Sequence, residues 1–205
     1  LGQLMGGGMG MPRFEAAQVG NLELTWLIPL ALIGTVCGWL YFVSEHASEA
    51  LAHTIGERPV VKAMLAGLAL AICGTVLPYT MFAGETQADV LMETYLTIPA
   101  GVLIATGLVK AMLTPALINL GWRGGHFFPV IFSGVSLGYG LAILTGADPV
   151  FCVAVCTAST MGAVMRQPVM VVGLLLMCFP LKGIVCMIIA AVIAAGIPLP
   201  KPLRK

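Results

Sequence analysis

Residues 121–130, GWRGGHFFPV, set two glycines, a histidine, two phenylalanines and a proline between apolar stretches. Gly124 and Gly125 carry no side chains, so the backbone there can turn sharply and a ligand can come close to it. A helix starting near His126 leaves its first amides without partners inside the helix. Pro129 suits that first turn, having no N–H to lose. Such amides, at the positive end of a helix dipole, attract an anion. They do so without a full positive charge, so a held ion can leave again. Phe127 and Phe128 would keep the site narrow and dry. The same ten residues also suit a loop between two spans at the bilayer surface, with Arg123 anchored among headgroups.

Two other groupings could do chemistry. His126 and Ser133 lie seven residues apart, on roughly one helix face. A serine nucleophile needs an activating base and an oxyanion site, and the sequence has no G-x-S-x-G elbow and no H-E-x-x-H. No catalytic residue is expected. The six cysteines, Cys37, Cys73, Cys152, Cys156, Cys178 and Cys186, all fall inside apolar segments. Cys152 and Cys156 share a helix face with Asp148 one turn earlier, but no His or further Cys stands near to complete a tetrahedral shell. They read as packing residues, and neither a metal nor another cofactor is expected.

The elements that must position the 121–130 stretch lie in lipid. Hydrophobic residues make up 59% of the 205 and charged residues 9%, against about 25% charged in a soluble domain. The composition is that of an integral membrane protein. No Asp, Glu, Lys or Arg occurs between Glu23 and Glu45, between Lys62 and Glu85, or between Arg123 and Asp148. Each gap is long enough to cross about 30 Å of hydrocarbon. The apolar stretches 94–109, 111–122, 149–165, 167–181 and 183–200 are shorter, as in transporters whose helices stop partway through the bilayer. The expected architecture is all-α, with seven or eight helical segments, several of them tilted or broken. Gly134, Gly138 and Gly140, interleaved with Ser133 and Ser136, and the series Ala63, Gly67, Ala71 and Gly74 offer small faces for close helix contact.

A net charge of +1, without runs of one sign, gives no reason to expect nucleic acid as a partner. Residues 1–23 read as a glycine-rich loop rather than a signal peptide, 24–200 as the transmembrane domain and 201–205 as a short basic tail. Starting at Leu within such a loop, the chain reads as the continuation of something longer.

Two stretches carry a resemblance. RGGHFFPVIFSGVSLGYGLA resembles the G-G-x-F-x-P helix start of the CLC family of chloride channels and proton-coupled chloride exchangers. At the expected distance, CTASTMGAVMRQPVMVVGLLL resembles that family's alanine-rich helix, Arg-x-Pro turn and next apolar helix. AGETQADVL, at 83–91, resembles the extracellular stretch before the next helix pair. The resemblance covers most of the chain and implies the C-terminal half of a subunit, one half of an inverted-repeat fold. The family's G-S-G-I-P and G-R-E-G-P motifs and its functional glutamates belong to the other half, so no residue of this sequence inherits a proton pathway.

By resemblance, the amides of His126 and Phe127 coordinate chloride or another small anion, Gly124 and Gly125 permit its approach, and Pro129 sets the helix start beside Phe128. The resemblance further implies a bacterial-type plasma membrane, contact with membrane lipid, and a homodimer formed through 167–196. Three departures stand out. His126 replaces a residue that is usually aliphatic. Arg204 falls where a tyrosine is expected, and the helix after Gln167 and Pro168 has no glutamate. The competing expectations are an unrelated secondary transporter with broken helices, and a fragment that does not conduct.

Overall fold

The computed structural model describes residues 13–81 and 84–200. Most of the glycine-rich segment (1–12), Phe82, Ala83, and the 201–205 tail with Arg204 lie outside the described residues. Among those described there are eight α-helices and no strand: α1 (Asn21–Ile55), α2 (Pro59–Val76), α3 (Glu85–Thr94), α4 (Ala100–Asn119), α5 (Phe127–Thr145), α6 (Pro149–Met165), α7 (Pro168–Leu175) and α8 (Ile184–Gly196). Helices α1, α2, α4 and α5 are long and apolar enough to cross a membrane. Short 3-10 turns, Pro78–Thr80 and Tyr95–Thr97, precede α3 and α4.

The core is the contact between α5 and α6, with α1, α4 and α8 packed around it. Every residue of 130–142 and of 151–163 is buried. Lipid tails are as apolar as leucine, so burial alone does not hold helices together there; close approach does. Small residues permit it. A Cβ on Gly138 would sit 2.5 Å from the Val153 Cα, and one on Gly134 would overlap the Thr157 Cα. On α4, a Cβ at Gly107 would lie 2.7 Å from the Ser133 carbonyl oxygen, and on α6 one at Gly162 would lie 2.7 Å from that of Ala191.

The α5 series of small residues thus does what the sequence suggests. The α2 series does not. A Cβ on Gly67 would meet nothing within 4 Å, and only 6% of the apolar stretch of α2 is buried. Val60, Met64, Leu68, Ile72 and Val76 all point outward.

Other elements differ from the sequence expectation. The stretches 94–109 and 111–122 are not two segments: a 3-10 turn is followed by one continuous helix, α4, and Lys110 lies within it, 4% exposed. Its ammonium donates to the Thr80 carbonyl at 2.6 Å, so the charge is met by protein and does not end the span. Pro115 also sits inside α4 without breaking it. The 83–91 stretch is largely the short helix α3. Of 167–179, only Pro168–Leu175 is α-helical, and Gly183, with φ of 96°, opens α8.

Helix α1 is long, and its second half is tied to α4 by polar contacts. Ser44 donates to the Met112 carbonyl at 2.6 Å, while the Asn119 amide donates to the Glu45 carbonyl at 3.0 Å and to the Ser48 hydroxyl at 2.9 Å. These bonds set the end of α4, and so the place where the 121–130 stretch begins.

Candidate anion site at the start of α5

Helix α4 ends in a left-handed glycine, but it is Gly121, with φ of 95°. The amide of Trp122 donates to the Leu117 carbonyl and that of Gly121 to Ile118, each at 3.0 Å. This is the paired-bond pattern of a Schellman motif. The sharp turn is therefore made three residues before the Gly124–Gly125 pair, neither of which has positive φ. What the pair contributes is open space, since a Cβ on either would meet nothing within 4 Å.

Helix α5 starts one residue later than the sequence suggests. His126 is the N-cap, with φ −92° and ψ −13°, and Phe127 is the first helical residue. The first intrahelical bond runs from the Val130 amide to the His126 carbonyl at 3.1 Å. No side chain caps this end. Pro129, at the third helical position, has no N–H, so the donors left at the start are the amides of Phe127 and Phe128 together with that of His126. The His126 ring stacks on Phe127, centroids 4.6 Å apart and planes 22° off parallel. His126, Phe127, Phe128 and Pro129 are half-buried, whereas Gly124 and Gly125 are exposed.

A bare start is not peculiar to α5, since no side-chain bond caps α2, α3, α4, α7 or α8 either. Helix α6 is capped by the Asp148 carboxylate, which accepts from the Phe151 amide at 2.8 Å. A carboxylate in the corresponding place on α5 would occupy the position an anion needs. None is there.

A cavity of about 340 Å³ lies beside the start of α5, lined by Gly124, Gly125 and Pro129 together with Lys110, Thr114 and Trp122 among others, while His126, Phe127 and Phe128 are not part of its lining. Sequence reasoning placed the glycines and the proline here and missed Lys110. Its only sequence signal was a single cation between two apolar stretches, which reads equally well as a boundary between helices.

The structure does not bring the other groupings together as sites. Ser133 is fully buried, donates to the Gly107 carbonyl and lies 3.4 Å from the Cys37 sulfur. Its hydroxyl faces α4 and α1 rather than the His126 ring. Cys152 lies 4.0 Å from the Thr145 hydroxyl, and the Asp148 carboxylate is engaged as a cap. Among the described residues no three His, Cys, Asp or Glu side chains gather as metal ligands.

The profile of the voltage gated chloride channel family matches residues 3–198. The chain belongs to that family. It is an integral membrane protein of CLC type, with the family's all-helical fold. A CLC-type fluoride/proton antiporter of known crystal structure superposes with a TM-score of 0.77 at 21% identity, covering 99% of this chain and 52% of that one. YfeO, named as an ion-transport protein, is 28% identical over 128 residues in Escherichia coli O7:K1 (strain IAI39), in Escherichia coli strain SMS-3-5 and in Escherichia fergusonii. The match takes in 60% of this CLC chain and 30% of each YfeO chain. The chain thus spans about half the length of the solved relative and less of the curated ones.

Proposed function

We propose that this chain is the C-terminal half of a CLC-type transport subunit, moving chloride or another small anion across a bacterial plasma membrane. The anion is held at the start of α5 by the amides of His126 and Phe127, with Phe128 and Pro129 completing the first turn. Gly124 and Gly125 leave the approach open. The observation that carries this reading is an uncapped helix start whose approach residues, Gly124, Gly125 and Pro129, line a cavity, in a chain of this family. Fluoride is a second candidate substrate, because the solved relative is a fluoride/proton antiporter. The role proposed is transport; among the described residues Ser133 is bonded to the Gly107 carbonyl, away from His126.

Subunits pair through 167–196. Val169, Met170, Leu181, Val185 and Val192 on α7, α8 and their connection are exposed and apolar, which suits burial against a second copy or lipid.

Titration calorimetry on the intact subunit, with chloride and with fluoride, tests the anion site. Gly125→Val fits the fold, because the space beside Gly125 is empty, yet fills the approach; its expected effect is at least a ten-fold loss of affinity. His126→Leu keeps the amide and is expected to stay within about three-fold, since the backbone is the ligand. Loss of binding in His126→Leu with retention in Gly125→Val would make the imidazole the ligand and defeat the backbone reading.

A further inference from the structure

Lys110 is the one Asp, Glu, Lys or Arg in α4, and it is buried. A cation at membrane depth is costly unless protein or a water-filled cavity surrounds it, so it marks a functional position by default. Contacts with two neighbouring elements help to orient this one. Its Nζ donates to the Thr80 carbonyl at 2.6 Å, and it stands 6.0 Å from the centroid of the Phe132 ring on α5. The ammonium is thus placed between the 78–80 turn and α5.

Lys110 also lines the cavity that Gly124, Gly125 and Pro129 line. Arg123, exposed, contributes a second cation to the same lining. The remaining wall is largely Leu70, Met81, Leu113, Leu117 and Ile118. Low-dielectric walls around charge of one sign focus its field on whatever enters. A hydrogen bond to a carbonyl needs only a neutral donor, so fastening the 78–80 turn does not by itself require a lysine. What lysine adds is charge.

We propose that Lys110 sets the anion affinity of this cavity. Its ammonium is a fixed positive charge that draws a small inorganic anion toward the start of α5 and supplements the backbone amides there. The inference rests on the reading of that helix start as the anion site, and it adds a side chain that the G-G-x-F-x-P stretch does not contain.

The test uses the intact subunit with Cys73→Ser and Cys186→Ser, because Cys73 is half-buried and Cys186 is at least as exposed as position 110. Chloride binding is measured by calorimetry for Lys110→Met, Lys110→Arg and Lys110→Cys. The cysteine variant is measured again after aminoethyl thiolation, which restores an ammonium, and after methyl thiolation, which does not. Removing one charge from a low-dielectric wall is expected to raise the chloride Kd about ten-fold in Lys110→Met. Lys110→Arg and the aminoethylated cysteine are expected to recover most of that loss, and the methylated cysteine none.

Equal binding by Lys110→Met and the parent overturns the inference. So does weak binding by the arginine and aminoethylated forms to the same degree as methionine, since shape rather than charge would then be at work. Gly125→Val is the parallel arm. If it loses binding while Lys110→Met does not, the role of Lys110 falls and the backbone site stands. If the parent binds neither chloride nor fluoride, both fall together.

Discussion

Replacing Gly138 with alanine adds one methyl group at one of the tightest backbone contacts in the core. The new Cβ would sit 2.5 Å from the Val153 Cα, 2.8 Å from the Val153 nitrogen and 2.9 Å from the Cys152 carbonyl oxygen. Ordinary contact begins near 3.4 Å, so the shortfall is 3.4 minus 2.5, about 0.9 Å. All three neighbours are backbone atoms and cannot rotate away. Helices α5 and α6 must therefore separate, and with them the fully buried Phe132, Val135, Val153 and Met161 lose contact. Overpacking of a close-packed interior costs about 1–3 kcal/mol, and with no flexible side chain to yield, the upper end, about 3 kcal/mol, is expected. At the scaling of a chain this size, that is a fall of roughly 6–12 °C in melting temperature.

Gly67→Ala is the matched control. Nothing stands within 4 Å of its Cβ, so only the better helix propensity of alanine acts, worth at most about 1 kcal/mol of gain. Thermal and SDS-titration unfolding of the two purified variants in detergent, read by tryptophan fluorescence, make the comparison. A Gly138→Ala protein within 0.5 °C of the parent, or a Gly67→Ala protein destabilised as much, would show that close approach of α5 to α6 does not hold this core together.

Two smaller effects are expected. Asp148→Ala removes the cap on α6 and should cost about 1 kcal/mol, read as a small drop in unfolding midpoint that Asp148→Asn or Asp148→Ser largely avoids. Ser133→Ala removes the hydroxyl bond to Gly107 and should cost about 0.6 kcal/mol, the average for such bonds in membranes, while leaving chloride affinity measured by calorimetry unchanged.

Legibility from sequence tracked charge and small residues closely. The three charge-free gaps are α1, α2 and α5, because an unmet charge cannot stay in hydrocarbon and so marks where spans end. That rule failed at Lys110, where a met charge sits inside a continuous helix. The rule needs to know what surrounds the residue, and the partner, Thr80, lies thirty residues earlier in an irregular turn. The glycines of α5 were legible as a packing face because they recur at helical spacing and meet another helix. Those of α2 recur equally well but meet no other helix, Gly67 facing open space and Gly74 only the flexible Met81 side chain, and spacing alone cannot distinguish the two cases. At the candidate site, the positions of Gly124, Gly125 and Pro129 were legible, but the turn was assigned to the wrong glycine. A glycine before an aromatic and an arginine gives no hint of a left-handed cap unless the end of α4 is known.

Whether residues 121–125 lie on the membrane face or fold inward is decided by what the start of α5 stands beside. The end of α4 is held at the polar half of α1, through Asn119 and its bonds to Glu45 and Ser48. A simple surface loop would keep Gly124 and Gly125 at that level. Instead they share a cavity with Lys110, Leu113, Thr114, Leu117 and Ile118, positions spread over about 12 Å of α4 at 1.5 Å per residue. The chain therefore turns back along α4 after Gly121, and α5 begins below the end of α4. A cysteine at position 125, in the Cys73→Ser background, should react several-fold more slowly with a charged, membrane-impermeant thiol reagent in saturating chloride than in gluconate. Glu57→Cys, exposed between α1 and α2, should react quickly in both salts. Equal rates at 125 and 57, unaffected by chloride, would put the glycine pair at an open surface and remove the reason to seat an anion there.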